Sequence, residues 1–226
     1  MAISTIRHES IINPRIDNPP FTIVGCGAVG SRIFMSLIEL GMTRIRCIDF
    51  DYVEPHNLAN QAFMHEHVGM NKGEALQFLY ETKTGEPCPS TITAHIAHIP
   101  DPAIHLDGIL FLIVDSFASR REIIESLTAP LPYYVIDTRM ASTHGNAIGF
   151  SPSDPQQVEA YLATLGDDDT AEQSACGTSI TVGPTASIIA NLAVWHAINF
   201  IVDPGANDPW LEVFTKPAML TTKPRL

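Results

Sequence analysis

The first apolar run of the chain, FTIV at 21–24, follows twenty mostly polar, proline-interrupted residues and leads straight into GCGAVG. That pattern predicts a short strand, a glycine turn and a helix start. Ile33, Phe34, Leu37 and Ile38 then recur at the spacing of one helix face over 31–40, and Gly41 marks its end. RIRCIDF is a second strand closing at Asp49. Strand, helix and strand within about thirty residues form a βαβ unit, whose parallel strands require the crossover helix.

Further along, polar positions dominate 51–70, and Asn71 is placed to cap a helix running to about Thr82. STITAHIAHI alternates as a strand does, whereas GILFLIVD is continuously apolar, the signature of a strand buried on both faces. A helix over 117–128, strands at YYVID and GNAIGF, and a short helix over 155–165 come next. GDDDTAEQSA reads as an acidic loop, and Pro184 suits the first turn of a long final helix. The expected architecture is α/β: a Rossmann-like, mostly parallel sheet with helices on both faces and extra strands in the C-terminal half. An N-terminal arm (1–20), one domain (21–202) and a proline-containing C-terminal tail (203–226) divide the chain.

Composition narrows the function. With 226 residues and 45% hydrophobic content, one sizeable core is available. A formal net charge of −12 argues against nucleic acid, which demands a basic stripe. Lysine is confined to positions 72, 83, 216 and 223, so Lys72 beside a glycine-rich element is not generic surface decoration. The cysteines, at 26, 47, 88 and 176, contain no C-x-x-C pair, which excludes a structural four-cysteine zinc site. No secretory leader pattern opens the chain, and a cytoplasmic protein with free thiols is expected. Residues 173–202 lack Asp, Glu, Lys and Arg, yet Gly183-Pro184, Asn191, His196 and Asn199 interrupt them. A buried helix, not a membrane span, fits that composition.

Gly25-Cys26-Gly27-Ala28-Val29-Gly30 is G-x-G-x-x-G between a strand and a helix, where backbone amides approach a phosphate at a helix N-terminus. Asp49, at the end of the second strand, can accept ribose hydroxyls of either NAD or ATP. The next residues discriminate. Asn57 and Gln61, four apart, lie on one face if a helical turn forms. Lys72 supplies a compact positive charge for a phosphate chain. Asp115 ends the buried strand at the edge where open α/β sheets bind ligands, a natural position for a magnesium ligand. His65-Glu66-His67 has the wrong spacing for a helical metal pair, and His95 and His98 point to opposite strand faces.

From about 21 to 202 the sequence resembles the ThiF/MoeB/HesA family, bacterial relatives of ubiquitin-activating enzymes. The family's D-x-D-x-V-x-x-x-N-L-x-R-Q is met by Asp49, Asp51, Val53, Asn57, Leu58 and Gln61; V-G-x-x-K by Val68, Gly69 and Lys72; D-[NS]-x-x-x-R by Asp115, Ser116 and Arg120. Its late cysteine before a helix-opening proline corresponds to Cys176 and Pro184. The resemblance implies ATP- and Mg2+-dependent adenylation of a carboxylate: the C-terminus of a ubiquitin-like or sulfur-carrier protein, or a peptide with a free C-terminus, by a homodimer. By position, Gly25, Gly27, Ala28, Val29, Gly30, Asp51 and Ser116 line the nucleotide and Asp49 holds its ribose. Asn57, Gln61 and Lys72 hold the phosphates, Asp115 the magnesium, and Cys176 sits near the acyl-adenylate.

The chain departs from the family at two arginines. N-L-x-R-Q has Asn60 in place of its arginine, and the N-terminal R-Y-x-R-Q is met by Arg7-His8-Glu9-Ser10-Ile11. Arg15 and Arg139 are the arginines considered as substitutes. A non-catalytic nucleotide- or partner-binding member of the same fold is therefore an alternative. An NAD-dependent oxidoreductase is a third, and it leaves Lys72 and Asp115 without a task.

Overall fold

The computed structural model describes residues 3–166, 182–206 and 210–223. Eight strands form one sheet in the order β3-β2-β1-β4-β5-β6-β7-β8. In chain order they are β1 (Phe21–Val24), β2 (Ile45–Ile48), β3 (Ile92–His95), β4 (Ile109–Leu112), β5 (Tyr134–Met140), β6 (His144–Phe150), β7 (Trp210–Thr215) and β8 (Ala218–Thr222). The helices are α1 (Gly30–Glu39), α2 (Lys72–Thr84), α3 (Phe117–Glu125), α4 (Pro155–Ala163) and α5 (Gly183–Val202). Strands β1 to β5 pair in parallel, and β5 to β8 pair antiparallel. This is the Rossmann-like architecture, with the extra strands of the C-terminal half in place.

Alternate residues of the central strands face two separate cores, as a two-residue period dictates. Phe21, Ile23, Ile45, Ile109, Phe111 and Ile136 point to the core covered by α1, α2 and α5. Val24, Ile48, Leu110, Leu112 and Val135 point to the other, where Ile123 and Ile124 of α3 and Tyr161 of α4 pack. Buried on both faces, β4 is continuously apolar, and β1 departs from that only at Thr22, whose hydroxyl donates to the Asp107 carbonyl oxygen. In α1 the face Ile33, Phe34, Leu37, Ile38 is almost wholly enclosed. Asn71 caps α2, its side chain accepting from the N–H groups of Gly73 and Glu74.

The segment expected as a tail departs from that expectation. Trp210–Thr215 and Ala218–Thr222 extend the sheet from β6 as a hairpin, with His144 opposite Phe214 and Gly145 opposite Val213. Pairing to a strand more than sixty residues earlier supplies this structure, so local proline content does not report it. Helix α5 is long and apolar enough to cross a membrane, yet half of its most apolar window is buried inside the fold, where it packs on α1, β5 and β6. The N-terminal arm folds back on the far end of α1: Ile12 is buried, the His8 ring contacts the Leu40 carbonyl oxygen, and Gly41 is packed under Thr5 and Pro14.

Candidate functional site

Val24, Ile48 and Leu112 are in register, so β1, β2 and β4 end at one level. The chain steps from β1 to β2 and β3 on one side and then to β4 on the other. The crevice outside the carboxyl ends of β1 and β4 is therefore a topological switch point, the usual ligand position in open α/β sheets. Three sequence segments meet there: the glycine turn, the stretch after β2 and the turn after β4.

The three glycines of the turn differ in what they demand. Gly25 has φ +95°, and a Cβ there would lie 2.1 Å from the Ile113 carbonyl oxygen. A Cβ on Gly30 would lie 1.9 Å from the oxygen of Gly25. Both are required by the fold itself. At Gly27 a Cβ would meet nothing within 4 Å, and φ is not in the left-handed region. Neither backbone conformation nor packing calls for glycine there, and what its bare backbone leaves is open space at the crevice for a close ligand.

Asp49 organises this turn. Its Oδ2 accepts the Cys26 N–H at 2.7 Å and its Oδ1 accepts the Asp51 N–H at 2.8 Å. Burial pushes its carboxyl pKa up, against the N–H groups of Asp51 and Cys26 and the charge of Lys72. Cys26 is wholly enclosed, and a hydrogen bond with Cys47 together with burial raises its thiol far above the usual range, so it is not a nucleophile.

Lys72 opens α2 and is 7% exposed, its Nζ 2.7 Å from Oδ2 of the half-exposed Asp51. Asn71 does more than the capping its sequence position suggests: its Nδ2 donates to the carbonyl oxygens of both Asp49 and Asp51. That residue ties the end of β2 to the start of α2 and so fixes Lys72 beside the Asp49–Asp51 turn. Nothing in the sequence pattern around Asn71 signals this second task, which depends on two segments meeting.

Pro55–Ala59 is a 3-10 helix, and just beyond it the Gln61 N–H donates to the Asn57 carbonyl oxygen at 2.9 Å, so one α-type turn joins the two amide residues. Asn57 is buried and its Oδ1 accepts the Glu54 N–H, so this side chain secures the turn. The Oδ1 of Asn60 and Oε1 of Gln61 are buried without a hydrogen-bond partner. Helix α1 touches this stretch twice: Ser31 Oγ accepts the Ala62 N–H, and an Arg32 terminal nitrogen donates to the Asn60 carbonyl oxygen at 3.4 Å.

Across the crevice, Asp115 is exposed in the turn between β4 and α3, and Ser116 caps α3 through the Ser119 N–H. Arg120 turns inward and pairs with the fully buried Asp137 in the middle of β5, while also donating to the Leu112 and Val114 carbonyl oxygens. It thereby braces the turn that carries Asp115. Arg139 also binds Asp137, at 2.7 Å, and spends its other nitrogens on Thr164. Arg15 lies on the arm, next to a segment against Arg44, Tyr133 and Phe200 at the opposite ends of the strands. Within one chain, neither therefore substitutes for the arginine replaced at Asn60. Cys176 lies outside the described residues.

No group of three metal-binding side chains occurs among the described residues. His67 faces the core, with Nδ1 accepting the Met64 N–H and its ring edge-on to Phe63 and Phe78. A single carboxylate such as Asp115 suits magnesium carried on a triphosphate, since that ion keeps waters and phosphate oxygens as its other ligands.

The family model described as "ThiF family" matches residues 13–223. Among curated proteins no sequence match is found. Solved structures share the fold. One is MccB of E. coli with ATP, with a TM-score of 0.69 at 16% identity over 96% of this chain and 66% of that one. Another is the microcin C7 biosynthetic enzyme MccB in complex with N-formylated MccA, with a TM-score of 0.67 at 16% identity over 96% and 67%. A third is PaaA, with a TM-score of 0.69 at 15% identity over 96% and 67%. The chain thus spans about two thirds of the length of these structures.

Proposed function

Because the chain belongs to the ThiF family, we propose that it activates a carboxylate with ATP, forming an acyl-adenylate and releasing pyrophosphate. In this step a carboxylate oxygen attacks the α-phosphorus and the bond to the β-phosphate oxygen breaks. Little covalent work falls to the protein, so its contribution is positioning and charge stabilisation. The glycine turn accepts the phosphates at Gly27, and Asp49 holds the ribose. Lys72 neutralises charge that builds on the phosphate chain. Asp115 would hold a magnesium ion carried on ATP, which when bound would supply charge neutralisation at the phosphates. The remaining nucleotide contacts in this proposal are Ala28, Val29, Asp51, Asn57, Gln61 and Ser116, with Cys176 facing the product.

The observation that carries this reading is the pairing of an open Gly27 with a fixed ammonium on one side and an unburied carboxylate on the other. Hydride transfer to a dinucleotide uses neither charge. MccB, of the same fold, is described with ATP and with MccA. We take the substrate of this chain to be a peptide, or a ubiquitin-like or sulfur-carrier protein, with a free C-terminus. The arm packs against the C-terminal end of α1, about 15 Å from the glycine turn by helix rise. Arg7 thus serves a nucleotide only in a second copy, and a homodimer is the proposed working unit. Enclosed thiols at Cys26 and Cys47 suit a reducing compartment, and the cytoplasm is the proposed location.

Pyrophosphate exchange into ATP, measured across a panel of peptides with free C-terminal carboxylates, tests the proposal. Carboxylate-dependent exchange that Lys72→Ala lowers by about 10²–10³-fold is the expected result. ATP binding with no exchange under any carboxylate favours the non-catalytic reading, for which the asparagine at position 60 is the specific support.

A further inference from the structure

We propose that Arg32, on the first turn of α1, is a phosphate-contacting residue that supplies from a different chain segment the positive charge missing at Asn60. This rests on the adenylation reading and adds a residue to its site. Arg32 is the third residue of α1, where a cation faces the positive end of the helix macrodipole and is ordinarily unfavourable. Among the described residues it has no carboxylate partner. Its Nε is buried with no hydrogen-bond partner, and among the described residues its one hydrogen bond is the 3.4 Å donation to the Asn60 carbonyl oxygen. A guanidinium has five N–H donors in a fixed fork that suits phosphate oxygens. This one uses a single N–H, at the long limit of a hydrogen bond.

The surroundings explain why it is there. Asn60 stands where the family pattern N-L-x-R-Q has arginine, and Arg32 lies against the backbone of that same residue. Gly183, first residue of α5, would bring a Cβ within 3.4 Å of an Arg32 terminal nitrogen and within 3.5 Å of the Ala59 carbonyl oxygen. The start of α5 thus packs beside the guanidinium and the same 59–60 backbone. In the adjoining stretch Asn60 Oδ1 and Gln61 Oε1 are also buried without hydrogen-bond partners. The guanidinium at the start of α1 is donor-only and mostly unspent, and an anion is the partner that suits it. Within the same chain Arg139 is fully engaged and Arg15 is at the other end of the strands.

Titration calorimetry of ATP·Mg and of AMP tests this on wild-type protein, Arg32→Ala and the exchange variant Arg32→Ala/Asn60→Arg. The expected result is ATP affinity lowered about ten- to a hundredfold in Arg32→Ala with AMP affinity nearly unchanged, because AMP lacks the β- and γ-phosphates. The exchange variant recovers most of the lost ATP affinity. Retained AMP binding also certifies that each variant is folded. An Arg32→Ala variant that binds ATP as wild type, one that loses AMP and ATP alike, or an exchange variant no better than Arg32→Ala overturns the inference. If wild-type protein itself binds no ATP, the adenylation reading falls and this inference with it, an outcome visible before any substitution is made.

Discussion

Replacing Gly27 by valine separates ligand binding from folding, because the three glycines of the turn meet such different surroundings. A Cβ at Gly25 or Gly30 meets backbone oxygen at 2.1 or 1.9 Å, far inside contact distance, and neither oxygen can move without breaking the sheet or α1. Alanine at either position is expected to cost more than about 4 kcal/mol, the range reserved for strain and overpacking. At Gly27 the same methyl meets nothing within 4 Å. Alanine there trims unfolded-chain entropy and is worth about 0.4–1 kcal/mol of stability. For a chain of this size that amounts to a rise in Tm of up to about 4 °C. Binding behaves oppositely. ATP at a hundred times its Kd stabilises wild-type protein by about 2.7 kcal/mol, or on the order of 5–11 °C in Tm. Side-chain carbons at Gly27 occupy the space a phosphate must enter, so Gly27→Ala reduces this shift and Gly27→Val removes it. Thermal melts of the variants with and without ATP·Mg decide the matter. A Gly27→Val protein that melts normally and keeps the full ATP shift refutes the assignment of this turn to phosphate binding.

Two further predictions concern the scaffold of the site. Asp137→Asn leaves Arg120 and Arg139 facing each other without their buried counter-charge, so stability should fall by about 3–5 kcal/mol and the urea midpoint by on the order of 1–2 M. An unchanged midpoint refutes that role. His67 is enclosed, and burial holds its pKa below the ordinary histidine value of 6.5. Below that pH the unfolded ring takes up a proton that the folded ring resists, so stability is present above it and is lost as pH falls toward the folded pKa. His67→Asn, which keeps an acceptor for the Met64 N–H, should flatten the stability profile below about pH 6.5; an unaltered slope would assign the acid sensitivity elsewhere.

Much of this site is legible in the sequence because its parts are local. FTIV followed by GCGAVG and a helical stripe of Ile33, Phe34, Leu37 and Ile38 carries the strand, the turn and the crossover without any long-range information. Asp49, Lys72 and Asp115 are readable because each sits at a boundary of such an element. What is not legible depends on distant partners. Trp210–Thr215 and Ala218–Thr222 become strands by pairing outward from β6, and their flanking prolines point the other way. The Asp137–Arg120 pair joins β5 to α3, so the arginine of D-[NS]-x-x-x-R reveals its purpose only once the fold is known. Asn57 spends its amide oxygen on the Glu54 N–H, a local task that its spacing from Gln61 does not announce. Arg32 leaves a faint sequence signal, a cation in a helix first turn next to a glycine motif, and only its contact with Asn60 gives that signal meaning.

The central claim is that this crevice binds ATP with magnesium and not a dinucleotide. Titration calorimetry of purified protein with ATP·Mg, NAD and NADP, and with Asp115→Ala in parallel, tests it most directly. The account predicts saturable ATP·Mg binding, weakened in Asp115→Ala, and no heat from either dinucleotide. Saturable binding of NAD or NADP with none of ATP would contradict it.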